Sequence, residues 1–380
     1  MEKKKRAVVA GHICVDITPV FPGKAAERIE TVLTPGKLVH MEGVDIHTGG
    51  AVANTGLAMK ILGNDVSLMG KIGDDELGRM VLNIMDAYHS SERMRVSKDS
   101  ATSYSVVLAV PGIDRIFLHD PGANDTFSCE DLDWEEIARA DLFHFGYPSL
   151  MKAMYKNDGQ ELLKMLRRVK ELGLVTSLDM AAIDPDSEGA KEDWHHILKR
   201  VLPYVDFFVP SVEELCFMLD RERYKEWKKR ASGRDMTEIL TMEDIRPLGK
   251  EVLDLGVGTA LIKCGAPGMY YRTASEEKMR TVCERLELPL AAWTDKEGFE
   301  ESYRPDAVIS GTGAGDTSIA AFLSAVLRGE TLMEALHLAA ATGACCVAAY
   351  DALSGLKPLD ELKEKIRNGW EKSSVRKKEN

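Results

Sequence analysis

Residues 310–327 read SGTGAGDTSIAAFLSAVL. Small residues run here straight into an amphipathic helical pattern, 317–327, so several backbone N–H groups are left free at a helix start. The helix dipole adds positive potential at the same point, and the two together make a cradle for an oxyanion or a phosphate. Asp316 falls in the first turn, beside any anion held there. An acid at this position also has a plain capping role, because carboxylates favour helix starts. The stretch is not a Walker A motif, since no Lys-Ser or Lys-Thr pair follows the glycines.

Outward from this loop the chain alternates. Short β-branched or aromatic runs at 7–10, 66–69, 142–145, 174–178, 207–209 and 259–262 read as buried strands. Helical patterns at 52–62, 76–88, 160–171 and 195–202 lie between them. Strand, helix, strand at this pace predicts right-handed βαβ units, hence an α/β fold with a mostly parallel sheet covered on both faces. Such sheets bind ligands at the carboxyl ends of their strands. Two segments break the rhythm: 38–47 is extended, and 103–118 alternates across Pro111-Gly112 like a hairpin. They predict a small β lid over the ligand edge, the alternative being an antiparallel edge of the main sheet. The expected organisation is one α/β domain over 1–370, with lid strands from about 34–48 and 100–120 and a flexible tail at 371–380.

The 380 residues carry 49 Lys plus Arg against 61 Asp plus Glu, a formal charge of −12, which argues against broad nucleic-acid or anionic-membrane binding. Seven cysteines, odd in number and without CxxC spacing, argue against a disulfide framework or a structural zinc site. The N-terminus reads as a first strand and not as a signal peptide, and the longest apolar region, 335–350, is too short to span a membrane. A cytoplasmic protein is expected. Residues 220–238 mix both charge signs at helical spacing, which reads as a solvated helix before a basic patch. Residues 275–304 read as an irregular insertion.

A second glycine constellation lies upstream, with Gly49-Gly50 and then Asn54 on the first turn of the next helical pattern. The glycine pair lets backbone approach a ligand closely, and Asn54 offers a donor and an acceptor to hydroxyl groups. Asp16, after the first strand, can accept two hydrogen bonds from a polyol. The polar segment from His119 to Asn124, after the hairpin, is placed to read the far hydroxyls of a sugar.

Taken together, GGAVANTGLAMKILGNDVSLMGKIGDDELG at 49–78 and SGTGAGDTSIAAFLSAVLRG at 310–329 resemble the two signatures of the ribokinase-like (PfkB) carbohydrate kinase family. The resemblance runs from about Arg6 to Leu362 and implies an αβα sandwich with a small β lid. It implies an ATP-dependent kinase acting on a hydroxymethyl group of a small carbohydrate, with Asp316 as general base. Gly313, Ala314 and Gly315 would form the anion hole, while Asp16, Gly49, Gly50, Asn54 and Asn124 would meet the substrate. Ser211, Lys263, Gly265, Gly268 and Thr312 would join Gly313 and Gly315 on the nucleotide, and Glu214 would organise Mg²⁺ through water.

This chain departs from the family pattern in places. Ser211 stands where Asn is usual, Lys263 where Thr or Ser is frequent, and Ser310-Gly311 where Asp-Thr is common. The change at Ser310 puts dependence on a monovalent cation such as K⁺ in question. Two alternatives stay open: a nucleoside kinase on the same scaffold, and a sensor that binds sugar or nucleotide without chemistry. Exposed apolar positions on the lid would allow a homodimer paired through it.

Overall fold

A computed structural model describes residues 4–23, 25–113 and 115–373. Its strands are β1 (Arg6–Gly11), β2 (Cys14–Val20), β3 (Gly43–Gly49), β4 (Asp65–Met69), β5 (Lys71–Gly73), β6 (Arg95–Ser97) and β7 (Tyr104–Leu108). They continue with β8 (Ile116–Asp120), β9 (Leu142–Gly146), β10 (Val175–Asp179), β11 (Phe207–Phe208), β12 (Thr259–Lys263), β13 (Gly268–Thr273) and β14 (Glu297–Glu301). The main sheet has the order β14-β13-β12-β11-β10-β9-β1-β4. It is parallel from β4 to β12, and β13 and β14 add antiparallel strands at one edge.

Successive residues of the central strands go to opposite faces, which is why their sequences are apolar without alternation. Val9, Leu142, Val175 and Phe207 enter one core, while Val8, Phe143, Leu178 and Phe208 enter the other. On the first face Phe207 meets Trp293 and Phe322 edge-on, with ring centroids 5.8 and 5.7 Å apart. Such pairs add roughly 0.5–1.5 kcal/mol each beyond the area they bury. The helix Ala314–Leu327 is not amphipathic as expected, for every residue from Asp316 to Leu327 is buried. It lies under the helix Leu332–Cys346, so no side of it is left to solvent.

Other expectations shift. Residues 52–62 form a wide-turned π-helix, Val52–Leu57, before the α-helix Ala58–Ile61. The stretch 275–304 is not an irregular insertion, since it contains the helix Glu276–Leu286 and the edge strand β14. Within 220–238 the helix Arg221–Ala231 keeps Trp227 and Ala231 buried and the rest of its face outward. At the tail, residues 371–373 hydrogen-bond to 302–304, while 374–380 lie outside the described residues.

A second, four-stranded sheet has the order β3-β2-β7-β8. Only His12 and Ile13 separate β1 from β2, so the main sheet feeds this one directly. From the 34–48 stretch only 43–48 is strand, as part of β3, and β3 pairs with β2, which the sequence pattern does not mark. Ser103 hydrogen-bonds to Asp120 and Val15 at the base of the second excursion, β7 and β8.

Candidate active site

Strands β1, β9, β10 and β12 end on one edge of the main sheet, at Gly11, Gly146, Asp179 and Lys263. Two cavities flank the loop 308–312, which contributes residues to both. The first, of about 850 Å³, is lined by Ser211, Lys263, Gly265, Gly268, Gly315 and Asp316 among others. The second, of about 930 Å³, lies against the small sheet and is lined by Asp16, His47, Asn54, Tyr88, Val107 and Thr312 among others.

Asp316 lines the first and hydrogen-bonds to Asn54, which lines the second. Its helix starts at Gly313, where φ is 75° and a Cβ would overlap Ala352, so only glycine fits the turn. Asn54 Nδ2 donates to Asp316 Oδ2 at 3.0 Å. Tyr147 OH donates to Oδ1 at 2.5 Å, and Thr55 Oγ1 to the same oxygen at 3.3 Å. Of the expected anion-hole amides, Ala314 N–H turns back to Gly311 O at 3.3 Å, a long bond that an incoming oxyanion would have to displace.

Lys263 Nζ reaches Asp179 Oδ1 at 2.7 Å, and the lysine's stem packs over Gly315. Burial works against its charge, but Asp179, Glu214 and Asp316 outweigh it and hold its pKa up. Burial, with crowding by Glu214 and Asp316, also pushes Asp179 upward against the pull of Lys263, to about 8. Burial raises Glu214 too. Asp179, Glu214 and Asp316 therefore crowd around one ammonium. Ser211 and Glu214 form a capping box for the helix Val212–Leu219: Glu214 Oε2 accepts from Ser211 N at 2.7 Å, and Ser211 Oγ from Glu214 N at 3.2 Å.

On the small-sheet side a Cβ at Gly49 would overlap the Asp16 carboxylate, which lies diagonally across the β2–β3 pair, two residues beyond the direct partner Cys14. Gly50 O accepts from Asn54 N at 2.9 Å, which seats the π-helix. Burial raises the Asp16 pKa, while donation from Cys14 and Ser105 opposes the rise. His12 Nε2 and His119 Nε2 lie 3.4 Å apart, and burial, then the neighbouring His119, pushes His12 down to about 3.

One assignment needs correction, and Thr312 lies apart from the other residues expected on the nucleotide. Asn124 does not face a ligand: it is fully buried, accepting from Ile13 N at 3.2 Å and donating to Ile13 O at 2.9 Å. Both ends of its amide are used on backbone, so it is a clamp under the β1–β2 junction. Thr312, expected beside the nucleotide, lines the small-sheet cavity, because the loop reverses at Gly313 only after passing it. Tyr147, Thr55 and Asp179 escaped the sequence reading. Tyr147 and Asp179 stand at carboxyl ends of parallel strands, where the ligand rule for such sheets would have looked.

The model of the pfkB family carbohydrate kinases matches residues 5–358. The chain belongs to this family. Members of the pfkB family such as fructokinases and ribokinases are ATP-dependent phosphotransferases. An uncharacterized sugar kinase of Archaeoglobus fulgidus is 23% identical, over 79% of this chain and 98% of its own. Fructokinase-2 of Zea mays is 25% identical, over 81% and 82% of the two chains. Among solved structures, a fructokinase of Xylella fastidiosa with bound ATP superposes with a TM-score of 0.70 at 18% identity, covering 96% and 99%. No helix among the described residues is long and apolar enough to cross a membrane, and all seven cysteines are free thiols.

Proposed function

We propose that this pfkB-family chain transfers the γ-phosphate of ATP to a hydroxymethyl group of a small sugar, with Asp316 as general base. One observation carries the reading: a buried carboxylate on the first turn of a helix lines one cavity of ligand size and is hydrogen-bonded to Asn54, which lines a second. Fructokinase and sugar kinase are the names of its relatives, and ATP occupies the Xylella fastidiosa structure. These support placing the nucleotide in the Lys263 cavity and the sugar beside Asp16, Gly49, Gly50 and Asn54.

In this reading the acceptor hydroxyl lies against Asp316, which takes its proton as the oxygen attacks phosphorus. The N–H groups at the start of the helix Ala314–Leu327 and the Lys263 ammonium oppose the charge on the transferred group. The small sheet acts as a lid that excludes water and so keeps ATP from hydrolysis. Three carboxylates against one lysine suit a hard dication, and Glu214 with Asp179 would hold Mg²⁺ through water and phosphate oxygens. No group of three side chains close enough to cage a metal directly occurs among the described residues. When bound, Mg²⁺ would neutralise phosphate charge.

ADP release measured over a panel of small sugars and nucleosides tests the reading. A sugar should be the best acceptor. Asp316→Asn should keep ATP and sugar binding by thermal shift and lose on the order of 10² to 10⁴ in turnover. Thermal stabilisation by sugar without any ADP would refute the kinase reading and leave a sensor.

A further inference from the structure

Tyr147 leaves β9 at φ 72° and ψ 39°, a left-handed conformation that bulky residues rarely adopt. Its backbone is pinned there. The N–H donates to Asp179 O at 3.2 Å, the carbonyl accepts from Leu150 N at 3.0 Å, and Pro148 follows. The unusual turn sends the phenol inward, to Asp316 Oδ1 at 2.5 Å. Burial, then the charges of Asp316 and Asp179, holds the phenol far above its ordinary pKa, so it keeps its proton and acts as a donor.

The hydrogen-bond count at Asp316 then has a directional result. A carboxylate oxygen has two lone pairs. Tyr147 donates to Oδ1 at 2.5 Å, and Thr55 Oγ1 lies 3.3 Å from the same oxygen with its one proton shared with the Asp316 carbonyl at 3.5 Å, so Oδ1 is the oxygen held by the phenol. Oδ2 has Asn54 Nδ2 as its side-chain donor, and Asn54 lines the small-sheet cavity where the acceptor is placed. Resting on the kinase reading above, we propose that Tyr147 is a positioning residue that reserves Oδ2 of Asp316 for the acceptor's proton. In the step itself the acceptor O–H proton passes to Oδ2, and the acceptor oxygen bonds to the γ-phosphorus. The bond from that phosphorus to the bridging oxygen breaks, and ADP leaves with the electron pair. Tyr147 keeps its own proton throughout.

The test is Tyr147→Phe, which removes one oxygen and leaves the ring. The kcat should fall by about 10- to 100-fold, as for loss of one element of general-base catalysis, with both KM values within about threefold. The acid limb of the kcat profile should move to higher pH, because a donor favouring the charged carboxylate is gone. Incorporating 3-fluorotyrosine at 147 keeps the donor and should recover most of the kcat. A Tyr147→Phe variant with wild-type kcat and pH profile would overturn the assignment, and so would a 3-fluorotyrosine protein as slow as Tyr147→Phe. If Tyr147→Phe does not fold, the 3-fluorotyrosine protein decides alone: its more acidic phenol should move the acid limb to lower pH, and an unmoved limb overturns the proposal. Wild-type protein that releases no ADP with any sugar sinks the kinase reading and this inference with it. Turnover in the wild type matched by Tyr147→Phe sinks the inference only.

Discussion

Asn124→Ala separates a clamp from a ligand contact. The amide is fully buried and satisfies both the N–H and the C=O of Ile13, at 3.2 and 2.9 Å. Truncation to Ala leaves these two backbone groups without their partner in the interior. Each buried unsatisfied polar group costs about 1–3 kcal/mol. The two together cost about 2–6 kcal/mol, and a water entering the vacated space brings the loss into the lower half of that range. At about 2 cal/mol/K per residue, a chain of 380 residues has an unfolding entropy of roughly 0.8 kcal/mol/K, so 3 kcal/mol lowers Tm by about 4 °C. The assay is thermal unfolding beside steady-state kinetics on the same preparation. A Tm unchanged within about 1 °C, together with a raised KM for the acceptor, would show that Asn124 touches substrate and that the clamp is wrong.

Three further outcomes are expected. Gly49→Ala should raise the acceptor KM at least about tenfold while leaving the ATP KM alone, because a Cβ there displaces the Asp16 carboxylate; steady-state kinetics in both substrates checks it. Lys263→Met should do the reverse, raising the ATP KM by about 10- to 100-fold, the size of a lost charged hydrogen bond, with the acceptor KM held. The third concerns pH. Burial and the nearby Lys263 charge lower His144 to about 3, so the unfolded chain takes up its proton first and His144 withdraws stability as pH falls from 6.5 towards 3. That contribution is about 2 kcal/mol at pH 5, and Tm plotted against pH should therefore be flatter below 6.5 in His144→Asn than in wild type.

What the sequence disclosed followed from how local each signal is. Val8-Val9 and Phe207-Phe208 are apolar on both faces because both faces are covered, so the central strands were readable from composition alone. The loop before Asp316 was readable because glycines crowd a helix start. By contrast β2 reads CVDITPV, with an acid and Pro19 inside it, and only its pairing with β3 and β7 makes it a strand. The π-helix leaves no mark in spacing, since a wider turn needs the same residues. Tyr147 and Asp316 are 169 positions apart, and Asn54 and Asp316 are 262 apart. Sequence could name the carboxylate but not the donors that orient it.

The junction at His12 and Ile13 bears on how far the small sheet is a separable module. The chain passes between the two sheets next to Asp16, after Gly49, at Ser103 and before Asn124. A chimera that imported another kinase's small sheet to change its preferred sugar would have to be spliced at all four crossings. Each splice falls within a few residues of a group that holds the acceptor pocket or its foundation. Altered selectivity in this scaffold is therefore better sought by single replacements along the inner surface of β2, β3 and β7 than by exchanging the sheet as a cassette.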